Sequence, residues 1–125
     1  MILLLDAHVF LWWLSEPERL DIAAKAAIDD PANDTLVSAA SVWELEIKRA
    51  SGKLTLGADL LVELERQQLE VIPILARDAT QAAHLPAHHR DPFDRMLVAQ
   101  AQRLEATIVS RDRAFDAYDV ERLPA

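Results

Sequence analysis

The sequence contains no cysteine. Disulfides and thiolate-held zinc or iron–sulfur clusters are thereby excluded, any metal must be held by oxygens or imidazoles, and the chemistry suits a reducing compartment. Long apolar runs are missing as well. Ile2 to Leu5 is cut off by Asp6, and Val9 to Leu14 falls far short of the roughly 20 apolar residues that cross a bilayer or of a secretory core. The expectation is a cytoplasmic protein with no membrane association. Basic charge is scarce: 13 Lys and Arg against 21 Asp and Glu leave a net charge of −8. A domain that coats phosphate backbones is expected to be basic, so any nucleic acid must be held locally. No internal repeat, linker or low-complexity tract interrupts the chain, and its 125 residues suit one compact domain over residues 1–125.

What the chain does have is a repeated strand-then-helix pattern. Ile2 to Leu5, Thr35 to Ser38, Leu69 to Ile74 and Thr107 to Val109 are short apolar or β-branched runs, and Thr107 to Val109 is the last clear strand. Between them lie helical segments: His8 to Leu14, Asp21 to Ile28, Val42 to about Ala50, a helix marked by Leu60, Leu61 and Leu64, Asp78 to His84, and Pro92 to about Leu104. Gly52 can end one of these as a left-handed cap, and Pro92 occupies the favoured first position of another. Such alternation predicts an α/β domain with a parallel sheet and right-handed crossovers.

Acidic residues stand after the strands or at helix starts: Asp6, Glu44, Asp94 and Asp112. Each has a local reading. Asp6, Asp91 and Asp112 are placed to cap helices, at about 1 kcal/mol each. Ser41 to Glu44 matches a capping box, and Glu44 can pair with Lys48 one turn on. Capping does not require the acids to fall at corresponding ends of parallel strands, whereas a shared ligand does. Two carboxylates about 5 Å apart at an effective dielectric near 20 repel by roughly 3 kcal/mol. Hard oxygen donors without thiols select magnesium, with manganese next, to neutralise that charge. The chemistry that follows is phosphodiester hydrolysis by metal-activated water.

The residues also carry a resemblance. Leu4 to Leu14, beginning Leu-Leu-Asp-Ala-His, is similar to the first motif of the PIN-domain nucleases. Ser38 to Leu45 with Ile47 and Lys48 is similar to the second, His89 to Ala101 to the third and Ile108 to Phe115 to the fourth. Together they span nearly the whole chain and most closely resemble VapC-type toxins of toxin–antitoxin pairs. The resemblance implies a three-layer αβα fold around a mainly parallel sheet. It further implies a metal-dependent endoribonuclease acting on RNA, a cognate antitoxin and a homodimer. The acidic quartet would be Asp6, Glu44, Asp94 and Asp112, which would also ligate the metal, with the Ser110 hydroxyl beside them. Ala7 departs from the pattern, since many relatives place threonine there. Between Asp91 and Asp94 the pattern selects Asp94, leaving Asp91 as the cap that can still assist from behind.

His84, His88 and His89 invite a metal assignment, but His88 and His89 are adjacent and their side chains diverge, and no partner lies at the spacing of a helical zinc motif. They read instead, with Arg90, as a polar lip for RNA backbone or as solvated loop. Lys48, Arg49, Arg95, Arg111 and Arg113 are candidates for phosphate contact, set against a solvated face. Of the adjacent Trp12 and Trp13 one should lie near the surface, flanking the core or anchoring a partner. Three alternatives stay open. A receiver-like magnesium module would want paired acids after the first strand, and a haloacid-dehalogenase-type phosphatase a second aspartate where His8 stands. The third is a catalytically silent partner-binding domain of the same fold.

Overall fold

A computed structural model describes residues 1–125. Five strands form one sheet in the order β3-β2-β1-β4-β5, with β1 at Ile2–Leu5, β2 at Asp34–Ser38, β3 at Glu70–Ile72, β4 at Thr107–Val109 and β5 at Glu121–Leu123. All neighbouring pairs are parallel. Helices α1 (Ala7–Ser15), α2 (Ile22–Asp29), α3 (Ala39–Ala50), α4 (Leu60–Arg66), α5 (Ala76–His84) and α6 (Pro92–Leu104) cover both faces. The receiver-like alternative falls here, because that fold has the order β2-β1-β3-β4-β5.

β1 is central and buried on both sides, and its pleat divides the core. Leu3 and Leu5 join Val9 and Phe10 of α1, Ala24 and Ile28 of α2, Leu45 of α3 and Leu60 and Leu64 of α4 in one cluster. Leu4 points the other way, to Leu97, Val98 and Ala101 of α6 and to Phe115. Three layers result, as expected, with each fully buried leucine of β1 contributing about 1.5–3 kcal/mol.

β5 was not expected from the sequence. Two of its three residues, Glu121 and Arg122, are charged, and as a short edge strand it needs no apolar run. The Ser41–Glu44 capping box is also corrected. α3 starts directly at the end of β2, where the Ser38 hydroxyl accepts from the Ala40 amide at 3.0 Å, so Ser41 lies buried inside the helix and Glu44 has no capping duty. Gly52, at φ 77°, provides the left-handed turn after α3. Neither Trp12 nor Trp13 is fully exposed; both are partly buried against the core around an apolar α1.

The register places the site. Leu5 pairs with Val37 on one side and with Val109 on the other, so Asp6, Ser38 and Ser110 emerge side by side at the carboxyl edge. The chain builds β2 and β3 to one side of β1 and then crosses over to β4. That reversal between β1 and β4 is where open α/β sheets form their ligand crevice.

Candidate active site

Asp6 closes β1 and opens α1, its side chain accepting from the Val9 amide at 2.8 Å. The local reading, a helix cap, is therefore fulfilled, yet the same carboxylate lines a cavity of about 280 Å³ together with Glu44, Asp94 and Asp112. Glu44 reaches it from α3 and pairs with Lys48 at 3.2 Å. Asp94 enters from the first turn of α6, where it is free because Asp91 does the capping, accepting from the Phe93 and Asp94 amides. Asp112 follows β4 and accepts from the Ala114 amide at 2.9 Å. Ser110 does not line the cavity. It is fully buried behind it, accepting from the Asp112 amide at 3.0 Å, and its hydroxyl supports the charged form of Asp6.

Crowding shows in the electrostatics. Burial pushes the Asp94 carboxyl up to about 7, reinforced by the negative charge of Asp91 and then of Glu44 and Asp6, with His89 pulling the other way. Asp6 is also raised, chiefly by burial, against the Ser110 hydroxyl and the Val9 amide. Both shifts mark carboxylates whose charge lacks a full counterpart within the chain.

His89 corrects the sequence reading. Its Nε2 lies 2.9 Å from Asp94 Oδ2 and 3.3 Å from Asp112 Oδ2, and one donor atom from each of the three residues falls within 4.8 Å of the others. Nδ1 accepts from the Asp91 amide at 3.2 Å, which assigns the proton of the neutral ring to Nε2 and makes it a donor to the acids. The side chains of His88 and His89 do diverge, since His88 packs edge-on against Tyr118 at 5.3 Å. Adjacency excludes a shared site but not a site for one of them. The available signal was position: His89 stands two residues before the cap of the helix that delivers Asp94.

Three of the candidate phosphate contacts are engaged elsewhere, Arg111 only in part, and Arg49 donates to the Ala58 carbonyl and pairs with Glu46. Arg95 donates to the carbonyls of Ala82, Ala83, Leu85, Pro86 and His89, and Arg111 to those of Arg19 and Ala125. Lys48 remains at the rim. Oxygen donors in surplus and no sulfur fit a hard divalent cation.

Asp91 is the point where cap and charge can be separated. Asp91→Asn keeps an acceptor for the α6 amides and is expected to stay within about 0.5 kcal/mol of the parent by urea unfolding, whereas Asp91→Ala is expected to lose about 1 kcal/mol. Equal losses for both would mean that the charge matters more than the cap.

A family model for the PIN domain matches residues 3–121. A curated relative, Ribonuclease VapC22 of Mycobacterium tuberculosis, is 34% identical over 113 residues, covering 88% of this chain and 86% of its own. Among solved structures, VapBC-1 from nontypeable Haemophilus influenzae superposes with a TM-score of 0.70 at 18% identity over 99% of this chain and 98% of that one. FitAcB from Neisseria gonorrhoeae does so at 0.64 and 24% identity over 98% and 96%. VapBC2 from Rickettsia felis, bound to a promoter DNA fragment, gives 0.67 at 17% identity over 100% and 99%. At those identities the structures establish the fold, while the PIN match and the curated relative establish kinship: the chain belongs to the PIN-domain family, beside its VapC-type members.

Proposed function

We propose that this chain, as a single domain over residues 1–125, is a metal-dependent endoribonuclease and the toxin of a toxin–antitoxin pair. The observation that carries the reading is the convergence of Asp6, Glu44, Asp94 and Asp112, with His89, on one cavity at the reversal point of the sheet. RNA as substrate follows from the name of the curated relative, and an antitoxin partner from the complexes in which the structural relatives occur. A homodimer and a cytoplasmic setting belong to the same proposal; no helix is long and apolar enough to cross a membrane.

Asp6, Glu44, Asp94 and Asp112 would hold magnesium, or manganese in its place. When bound, the cation offsets charge on the phosphate and leaving oxygen and makes water more acidic. The chain's own residues do the rest. Asp6 is held by the Val9 amide and Asp112 by the Ala114 amide, so both carboxylates are fixed before substrate arrives. His89 donates from Nε2 to Asp94 and Asp112 and orients the pair. Lys48, Lys53 and Arg90 rim an adjoining groove of about 500 Å³ that shares Glu44 and Asp91 with the acidic cavity, a local path for phosphates on an acidic protein.

Purified protein incubated with unpaired RNA is expected to cleave it in magnesium and to stop when a chelator is added. Cleavage insensitive to chelation would remove the metal from the mechanism. Intact RNA under every metal condition, from protein that binds an antitoxin, would leave the silent partner-binding domain.

A further inference from the structure

Beside the acidic cavity, and sharing Asp6 and Asp112 with it, lies a second hollow of about 330 Å³ whose other walls are His8, Trp12 and Arg111. Its size is at the lower end of the range for small-molecule sites, about 300–1,000 Å³. The walls are flat π surfaces. The Arg111 guanidinium stacks over the Trp12 ring at 4.2 Å, and the His8 imidazole lies 6.0 Å from the same ring at 39°. Arg111 is pinned by backbone alone, through the carbonyls of Ala125 and Arg19. It forms no ion pair with an Asp or Glu side chain, although Asp6 and Asp112 line the same hollow. The two tryptophans differ in the same way. The Trp13 indole donates to Asp29 at 3.1 Å, whereas the Trp12 indole N–H makes no bond within the chain.

We propose that this hollow is a subsite for one unpaired nucleobase of the RNA, next to the scissile phosphate; the proposal rests on the nuclease reading above. A phosphate at Asp6 and Asp112 brings a neighbouring nucleotide to the same two residues, and the wall beyond them offers what a base uses. The outer face of the Arg111 guanidinium, backed by Trp12, and the His8 ring supply stacking surface, and Arg111 keeps N–H groups beyond those on Arg19 and Ala125 for a base edge. The base must be unpaired, because in a duplex its faces are already covered.

The test compares a short unpaired oligoribonucleotide with the same strand carrying an abasic ribose beside the cleaved bond. The parent protein is expected to lose about tenfold in kcat/KM on the abasic strand, a typical worth of one stacked base. Trp12→Leu is expected to lose about as much on the intact strand and nothing further on the abasic one. Because Trp12 also packs on the core, the abasic strand tests the same contact on unaltered protein. Abasic RNA cleaved at the parental rate, or two losses that multiply, would overturn the subsite. Failure of the nuclease reading is seen separately, as no cleavage of any strand. The Trp12 indole N–H resonance then decides: a shift with the intact strand alone supports the subsite, and no shift overturns it. Trp12→Leu that cleaves normally but no longer binds an antitoxin would assign the hollow to a protein partner and overturn the proposal.

Discussion

Asp94→Asn is expected to cut RNA cleavage by on the order of a thousandfold, the worth of several kcal/mol of charge stabilisation, while making the metal-free protein more stable at neutral pH. Asparagine is nearly the same shape but a poor ligand for a hard cation. The gain in stability follows from linkage. Burial, then the charges of Asp91, Glu44 and Asp6, raise the folded-state carboxyl from 3.8 to about 7. Between those values the folded chain keeps a proton that the unfolded chain has released, so the stability tied to this group is whole below the unfolded value and is lost as pH rises through the folded one. Such a shift corresponds to about 4 kcal/mol at full weight and to about 2 kcal/mol once the remaining solvent contact is allowed for. Urea midpoints in chelator should therefore fall for the parent between about pH 4 and about pH 7 and stay flatter for the variant. Magnesium should raise the parent's midpoint and barely move the variant's. Parallel pH profiles, or full cleavage by Asp94→Asn, would refute the assignment.

Arg95→Ala is expected to cost about 3 kcal/mol and to lower the melting temperature by roughly 10 °C. One guanidinium gathers the carbonyls of Ala82 and Ala83 at the end of α5 with those of Leu85, Pro86 and His89 in the following loop. Helix carboxyl ends leave carbonyls without intrahelical partners and carry partial negative charge, and a planar fork of five N–H groups satisfies several at once. Lysine presents a compact ammonium with three donors and should restore less than half of the loss. The loop also carries His89, whose amide donates to the Tyr118 hydroxyl, itself donating to Pro86. Release of that loop should reduce cleavage by about tenfold or more, as loss of groups that orient a metal site does. A melting curve within about 2 °C of the parent would show that the carbonyls find water instead.

β1, β2 and β4 were readable in advance because strands buried on both faces are continuous apolar runs, and α1 and α6 because Asp6 and Asp91 announce their starts. β5 was hidden by Glu121 and Arg122, and the true start of α3 by a capping box three residues too late. Among the side chains of the cavity, Asp6, Glu44, Asp94 and Asp112 were legible through the motif resemblance. His89 was not, because its backbone is held by Tyr118 and its ring meets Asp112, which lie 29 and 23 positions away in the chain.

Amino-acid order alone therefore determined the strand–helix alternation, the caps and the inventory of hard oxygen donors, since these depend on neighbours a few residues apart. Only the folded chain decided the order β3-β2-β1-β4-β5, the meeting of Asp6 with Asp112 at its reversal point and the raised Asp94. Charge coupling and desolvation depend on separations in space between residues tens of positions apart, and no local preference encodes those.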